Sequence, residues 1–369
     1  AILTVATVEY DVDLISFVSQ DFVGYDEDNE VYMIAADYQI SLAPVYLFQQ
    51  VVPCGSSLAA NLGKTIRVEN FPLLWLTGGS GGYYDVYKGD TFLIAGTGCI
   101  WGGSASDYDA VTSIDLSSQS LTTDFTNELL GKYLNLTILD LENNLVSLVD
   151  LSANINIVTV ILRNNNVTYL NVSNLPLFYL LRADQSPNLN SIIGLSTLTT
   201  LNTLDVRNCN FSTIDVSANI NLQYFLIEGN TFLTIDISQN VNLVQLSSAA
   251  NNLTSINLTQ NINLFRLSSA FNNLTTIDLS QNVNLVQLNV AVNNLTNISL
   301  ATNTKIIHCE LQVNELDNLV NSQLLIDLDS HNLSNGYFRS AIFGGGTLTT
   351  AGLAAKNALL AKGWTIIGL

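Results

Sequence analysis

A 21-residue pattern recurs along the middle of this chain and constrains its fold more than any other feature. From Leu201 onward, each segment repeats the form Leu-x-x-Leu-x-Leu-x-x-Asn. The segments that follow open at Leu222, Leu243, Leu264, Leu285 and Ile306. Apolar residues spaced three and then two apart suit a short strand whose apolar side chains turn to one side. Such strands bury a core only when stacked on their neighbours, so the pattern predicts a one-dimensional solenoid with parallel pairing.

Asparagine recurs where the chain must turn out of each predicted strand. The members of this series are Asn144, Asn165, Asn230, Asn251, Asn272, Asn293 and Asn314. An inward amide can hydrogen-bond the backbone groups that a bend leaves in the interior, so we interpret the series as a structural asparagine ladder. A second series, with Asn240 and Asn261 among its members, lies two residues after a Ser or Thr. It falls on the return arc, the segment that leads from the turn after one strand back to the start of the next. We expect these asparagines to cap the local backbone.

The pattern weakens towards the beginning of the array. The segment that we place at Leu177 has Gln185 at the ladder position and runs long, and the segment from Leu201 has Cys209 there. A first partial turn is expected from Val111, followed by a helix-like stretch over residues 124–133. The array should therefore contain roughly ten units.

These repeats resemble those of leucine-rich-repeat proteins over about residues 111–335. The resemblance implies a solenoid with a parallel, concave sheet, but it says little about chemistry. The predicted fold class is mixed β/α. It comprises a β-rich anchoring or assembly domain over residues 1–110, the solenoid over 111–317 and a small α/β cap over 318–369.

The two ends of the chain differ from the array. Residues 1–110 contain β-branched or aromatic runs separated by glycine-rich or polar turns, which predict a compact β-sandwich or barrel. Cys54 and Cys99 in this part would pair only in an oxidising compartment, and the sequence leaves their state open. Near the other end, residues 349–362 are predicted to form a helix with Thr350 as its N-cap. Gly363 should follow as a left-handed turn, and residues 364–369 should form a closing strand.

The closing segment, over about residues 318–369, also resembles closing segments of bacteriophage virion and tail proteins and of related bacterial surface proteins. The residues that carry this resemblance are Leu-Ser-Asn-Gly, Ala-Gly-Leu-Ala-Ala-Lys and Lys-Gly-Trp-Thr-Ile-Ile. It implies a place on a particle or cell surface.

Charge and hydropathy exclude several kinds of partner. Acidic residues outnumber basic ones by 31 to 12, a net charge of −19, so nucleic acid is repelled. No run of about 18 apolar residues occurs, and no membrane insertion is expected. The start at Ala1 leaves open whether a leader was removed.

Few residues offer catalytic chemistry. His308 and His331 are the two histidines, so we expect no enzyme, metal or cofactor. His308 should face outward beside Glu310. Cys209 and Cys309 are most simply small core residues.

The outward residues of the sheet carry the functional hypothesis. Positions two, four and six after each opening residue should face away from the core, and the earlier rows present aromatic, apolar and arginine side chains typical of an interface. The predicted binding residues are Tyr179, Leu181, Arg207, Tyr224, Leu226, Arg266 and His308.

Together these features predict a non-enzymatic virion surface protein, such as a spike, penton-associated or tail component, that uses the array for host-receptor attachment or protein contact. The alternative is a secreted bacterial leucine-rich-repeat surface adhesin. Expected partners are other virion or cell-surface proteins through residues 1–110 and a host-surface protein or glycan through the array. Oligomers are possible.

Overall fold

The computed structural model describes residues 133–369 continuously. Before them it describes residues 112–115, 117–118 and 130–131, together with short strands between residues 6 and 102. The chain forms two compact units, residues 1–107 and residues 108–369.

The described part of the first unit consists of β-strands. They are β1 (Ala6–Glu9), β2 (Phe22–Asp26), β3 (Val31–Ile34), β4 (Tyr46–Gln49), β5 (Val52–Pro53), β6 (Thr65–Arg67), β7 (Leu74–Thr77), β8 (Tyr83–Val86), β9 (Thr91–Ala95) and β10 (Gly98–Gly102). Antiparallel pairs join β1 to β4, β2 to β3, β7 to β8, and β9 to both β6 and β10, whereas β5 and β7 are parallel. The predicted sandwich or barrel and the possible Cys54–Cys99 pair depend on residues and side chains outside those described.

The second unit is a parallel solenoid. Its strands are β11 (Ser113–Asp115), β12 (Ile138–Asp140), β13 (Leu148–Asp150), β14 (Thr159–Ile161), β15 (Tyr169–Asn171), β16 (Leu180–Arg182), β17 (Thr203–Asp205), β18 (Tyr224–Leu226), β19 (Gln245–Ser247), β20 (Arg266–Ser268), β21 (Gln287–Asn289), β22 (His308–Glu310), β23 (Tyr337–Arg339) and β24 (Thr365–Ile367). Among the described residues, all of these except β13 and β15 form a 12-stranded sheet in chain order.

The core of the solenoid is the column of residues at the strand centres. The central residues Leu246, Leu267 and Leu288 pair in register across β19, β20 and β21, and each is 1% exposed or less. They recur every 21 residues, so the predicted parallel solenoid is confirmed. β13 and β15 form a small parallel sheet of their own. The expected helix over residues 124–133 lies mostly outside the described residues.

The second asparagine series connects neighbouring units instead of capping the local backbone. Asn240 is fully buried, and its Nδ2 donates to the carbonyl oxygens of Val216 and Asn219 at 2.9 Å each. These carbonyls lie 24 and 21 residues earlier, in the preceding unit. The expectation of local caps was therefore wrong.

The unit that was placed at Leu177 opens one residue later, at Phe178. Phe178 is fully buried, whereas Leu177 is 53% exposed. Because side chains alternate along a strand, this shift turns Leu181 into the core, where it is 0% exposed. The ladder position of this unit is consequently Ser186 and not Gln185, whose φ of 58° marks the turn just before it.

The last 52 residues extend the sheet by two longer units. The central residue of β22, Cys309, pairs with Phe338 of β23, which pairs with Ile366 of β24. Helix α1 (Asn318–Ser330) connects β22 to β23, and helix α2 (Thr350–Ala361) connects β23 to β24. The region predicted as a cap therefore continues the solenoid.

Local interactions explain the two helices. Asp317 caps α1 by accepting from the amides of Leu319 and Val320 at 2.9 Å, and Thr349 caps α2 by accepting from Gly352 N at 3.1 Å. The predicted N-cap, Thr350, is instead the first helical residue. The helices approach closely at Gly352, where a Cβ would lie 2.5 Å from Ser322 Cβ.

Candidate binding surface of the parallel sheet

The outward side chains of the 12-stranded sheet form one surface, which we call the sheet face. Each strand contributes its first and third residues, and the residue two positions further on continues the same row. In β17 these are Thr203, Asp205 and Arg207, flanking the buried Leu204. Pairing in register brings equivalent positions of neighbouring units side by side, so the sheet face consists of three columns.

An arginine–aspartate cluster covers three neighbouring units of the sheet face: Arg163, Arg182, Asp184, Asp205 and Arg207. Arg207 donates two hydrogen bonds to Asp205, from Nε to Oδ1 at 2.9 Å and from Nη2 to Oδ2 at 2.8 Å. Arg163 Nε lies 3.2 Å from Asp184 Oδ2. Arg182 Nε lies between the two carboxylates, 4.0 Å from Asp184 Oδ1 and 3.9 Å from Asp205 Oδ2.

The aspartates of this cluster lie beneath its arginines. Asp184 and Asp205 are 2% and 1% exposed, whereas the arginine side chains are 18–33% exposed. Burial, together with repulsion from Asp205, raises the pKa of Asp184 to about 6 against the opposing attraction of the arginines. Ion pairs to buried carboxylates restrict the guanidinium groups, so the cluster presents oriented arginines.

The aromatic row predicted beside this cluster is present in part. Tyr224 lies half-buried on β18, next to Thr203 of β17. Leu226 faces outward from the same strand but is only 6% exposed. Glu228 completes the row, and burial raises its pKa, while Arg207 acts against that shift. Tyr179 lies one residue before β16 and is half-buried, which raises the pKa of its hydroxyl.

The middle of the sheet face is shallow. Arg266 of β20 pairs in register with Gln245 and Gln287, whereas small residues fill the other two columns here: Ser247 is 5% exposed and Ala270 is 3% exposed. In those two columns larger side chains occur only in the rows before and after β19–β21, and we call this middle part of the sheet face the floor. The shape separates the sheet face into two side-chain clusters.

The second cluster lies on β22 and β23 and contains His308, Glu310, Gln312 and Tyr337. His308 Nε2 and Glu310 Oε1 are 2.9 Å apart, and Gln312 Nε2 donates to Glu310 Oε2 at 3.1 Å. The rings of His308 and Tyr337 stack with centroids 4.8 Å apart. Partial burial is the largest single influence on the pKa of Glu310 and acts to raise it. The hydrogen bonds from His308 and Gln312 act in the opposite direction, and the pKa of Glu310 is lowered overall.

The asparagine ladder holds the turns that follow the sheet face. Its buried members are Asn144, Asn165, Asn230, Asn251, Asn272, Asn293 and Asn314. From Asn165 onward, each Nδ2 donates to a carbonyl oxygen of the preceding unit and to a carbonyl oxygen of its own unit. Several of the Oδ1 atoms accept a hydrogen bond from the backbone N–H of the residue nineteen positions earlier. The ladder therefore sets the spacing of the rows that the sheet face presents.

The thiols of this unit are not activated. Cys309 is fully buried, and burial raises the pKa of both Cys309 and Cys209, that of Cys209 to about 12. Neither is a thiolate near neutral pH. Among the described residues, no group of three or more His, Cys, Asp or Glu side chains is placed to hold a metal ion.

The sequence analysis did not assign two parts of this surface. Arg182 and Asp184 were assigned to other positions because the unit was opened at Leu177, and correct register at Phe178 would have placed both outward. Tyr337 was missed because it follows a helix, 29 residues after His308, outside the 21-residue period. The short aromatic segment Tyr337–Arg339, which follows the helix, is the sequence feature that could have indicated another strand of the sheet.

This architecture defines a leucine-rich-repeat solenoid. The chain is similar to the functional domain of InlJ from Listeria monocytogenes, with 26% identity and a TM-score of 0.58 over 68% of this chain and 53% of that one. It thus spans about half the length of the InlJ chain. An internalin, InlF from Listeria monocytogenes, matches at 17% identity and a TM-score of 0.50 over 73% and 89% of the two chains.

The same fold extends to more distant proteins. The LRIM1/APL1C complex contains a chain with 17% identity and a TM-score of 0.52 over 70% of this chain and 47% of that one. No protein-family model and no curated protein matches the sequence. Within the described residues, no helix is both long and apolar enough to span a bilayer.

Proposed function

We propose that this chain is a non-enzymatic surface protein that binds a protein partner through the sheet face. The observation that carries this proposal is the arginine–aspartate cluster beside Tyr224. Arginine and tyrosine are the residue types that contribute most binding energy at protein interfaces, above all when they are held in place before binding. Arg207, fixed to buried Asp205, meets that condition.

Two settings are compatible with such a protein. The likeness to InlJ at 26% identity supports a bacterial surface adhesin. The resemblance of residues 318–369 to closing segments of phage virion proteins supports a virion surface component that attaches to a host receptor. In either setting residues 1–110 would anchor the chain to neighbouring proteins, and a protein or glycan of the opposing surface would contact the array.

A cross-linking experiment on the full chain tests the proposed surface. A photo-reactive amino acid replaces Gln245 on the sheet face or, as the matched control, exposed Thr276 on the return arc. Each protein is incubated with intact cells of candidate hosts. We expect one cross-linked protein from position 245 and none from position 276; cross-links from position 276 alone would place binding on the return arc.

The cross-linked partner then permits an affinity measurement. Tyr224→Ala should weaken binding by about 2 kcal/mol, roughly 30-fold, if Tyr224 anchors the contact, and Gln287→Ala on the shallow floor should change it little. Fractionation of cells and particles with an antibody against the chain distinguishes the adhesin from the virion component.

A further inference from the structure

Three neighbouring units place an apolar side chain at a backbone position that disfavours one. Phe271, Val292 and Val313 occupy the turn directly after the sheet face, with φ of 55°, 56° and 59°. Most earlier units use residues that tolerate this left-handed region at the same position: Asn143, Asn164, Asn208 and Gly229. Backbone strain of this kind concentrates at sites where it serves a function, so these three turns call for one.

The three side chains lie side by side along the solenoid, and we call them the turn ridge. Phe271 and Val313 are 61% and 62% exposed, and Val292 between them is half-buried. Backbone hydrogen bonds join their turns, because Phe271 N donates to Ala291 O and Val292 N donates to Gln312 O, each at 2.9 Å. Single exposed apolar residues are ordinary on a protein surface, whereas adjacent ones are characteristic of a contact site.

The turn ridge borders the floor of the sheet face. Ala270, Ala291 and Gln312 directly precede its three members and belong to the third outward column. The two alanines are 3% and 2% exposed, so the turn ridge stands beside a low surface. An apolar wall beside a low floor forms a step against which an elongated apolar segment can pack.

The spacing of the turn ridge favours a helix over a strand as that segment. From Phe271 to Val313, two strand spacings amount to about 9.6 Å. Two turns of an α-helix advance about 10.8 Å, so side chains at i, i+3 or i+4, and i+7 meet the three rows nearly in step. Residues on one side of a strand recur about every 6.7 Å and advance about 13 Å in two steps. A strand therefore falls out of step with the turn ridge.

The charge near the turn ridge favours a basic partner. Arg266 is the only basic residue from position 208 to position 304. At the other end Glu310, Glu315 and Asp317 lie within four residues of Val313 in the chain. Carboxylates attract basic side chains and also the positive end of a helix dipole, which is the N-terminus. A helix on the turn ridge should therefore direct its N-terminus and its basic residues towards these carboxylates.

We infer that the turn ridge and the adjoining floor bind a basic amphipathic α-helix of a partner protein. The helix lies along the solenoid with its N-terminus towards Asp317, and its apolar side covers Phe271 and Val313. This inference rests on the proposed function, because it specifies the segment that the partner of the sheet face presents. It also explains why these turns retain apolar residues in place of the asparagine of earlier units.

Selection from two displayed peptide libraries against the full chain tests the inference without the natural partner. One library varies one side of a single stable helix, and the other varies disulfide-closed loops. The binders are then compared on Phe271→Asn/Val313→Asn, which places the residue of earlier units in both turns. We expect most helical binders to combine basic residues with an apolar i, i+3 or i+4, i+7 stripe and to bind this variant at least about tenfold more weakly.

Ile262→Asn/Val283→Asn is the matched control. These two side chains also lie in neighbouring units and are 50% and 45% exposed, but neither residue has a positive φ. Helical binders should retain their affinity for the control. Melting curves and circular dichroism verify that each variant is folded, and Val313→Lys gives an independent reading because it repels a basic helix while leaving Phe271 in place.

Helical binders that bind Phe271→Asn/Val313→Asn and Val313→Lys as tightly as the parent would overturn the inference. So would loop binders that depend on the turn ridge more often than helical ones. The outcome is separable from that of the proposed function. Cross-links from position 245, with unchanged cell binding of both ridge variants, would retain the sheet face and remove the helix site. Ridge-dependent helical binders without any cross-link from position 245 would retain the helix site and remove the proposed surface.

Discussion

Asn251 Oδ1 accepts a hydrogen bond from the backbone N–H of Phe232 at 3.1 Å, nineteen residues earlier in the chain. Asn251 Nδ2 donates to Ile227 O at 2.9 Å, also in the preceding unit, and to Ser248 O and Ala249 O at 3.1 Å in its own. One buried amide thus satisfies backbone groups of two units. Because the same arrangement recurs along the array, the side chain that ends one turn also sets the distance to the next strand.

Replacing Asn251 with Leu should lower the free energy of unfolding by about 1–3 kcal/mol. Leucine has the same number and branching of side-chain heavy atoms, but it leaves the N–H of Phe232 without a partner in the interior. The carbonyls of Ile227, Ser248 and Ala249 each lose one donor and keep another. Asn252→Ala, at the exposed neighbouring residue, is the control and should change little. Urea denaturation measures both, and equal midpoints would contradict the structural role of the ladder.

Val292 occupies a conformation that valine disfavours. Its φ is 56°, in the left-handed region, and the equivalent position is Gly229 or Asn208 in earlier units, with φ of 65° and 52°. A β-branched residue there is strained, whereas asparagine tolerates this region. Val292→Asn should therefore raise the free energy of unfolding by about 1 kcal/mol.

Val283→Asn is the matched control for that change. Val283 is 45% exposed and is not among the residues of positive φ. We expect its denaturation midpoint to stay within experimental error of the parent. A loss of stability in Val292→Asn would mean that the half-buried valine contributes packing that exceeds the strain.

The regular part of the array was predictable because each unit repeats the same physical solution. The alternation of inward Leu246 and outward Gln245 and Ser247 follows directly from the 21-residue pattern. The failure at Phe178 has an equally physical cause: Leu177 and Phe178 are adjacent apolar residues, and either one can open a unit when spacing alone is considered. Only the burial of Phe178, Leu181 and Ser186 in the folded structure decides the register.

The extension of the sheet beyond β22 could not be read from the period. The connections through α1 and α2 lengthen the spacing of central residues from 21 to 29 and 28, from Cys309 to Phe338 and on to Ile366. A helix and a turn can span the same distance with different numbers of residues, so sequence spacing no longer reports spatial spacing. For this reason the stacking of Tyr337 on His308 could not be predicted from the sequence.

Deleting residues 349–369 should destabilise the units that remain. The deletion removes α2 and β24 and exposes Phe338, which is 0% exposed when these residues are present. Since each unit of a solenoid depends on its neighbours, we expect aggregation or a broadened unfolding transition. A truncated protein that stays soluble and melts as cooperatively as the parent would show that these residues contribute little to the array.

The pKa of Asp184 predicts a pH dependence of stability with a definite sign. In the folded protein burial raises this pKa from 3.8 to about 6. Between these values the folded state retains a proton that the unfolded state has lost, so the contribution is greatest below the unfolded pKa and declines as pH rises towards 6. The free energy of unfolding should fall by an amount on the order of 1–3 kcal/mol across this window.

Asp184→Asn isolates this effect because asparagine has the same shape and does not titrate. The pKa of Glu228 is also raised, but Glu228 is present in both proteins and largely cancels in their difference. Asp215 and Asp278, whose pKa values are lowered by hydrogen bonds from Ser217 and Ser280, act below the window. Urea denaturation at pH 4.5, 5.5 and 6.5 should show the parent losing stability relative to Asp184→Asn. If the two proteins instead follow parallel curves, Asp184 is already ionised in the folded state, and the three arginines outweigh its burial.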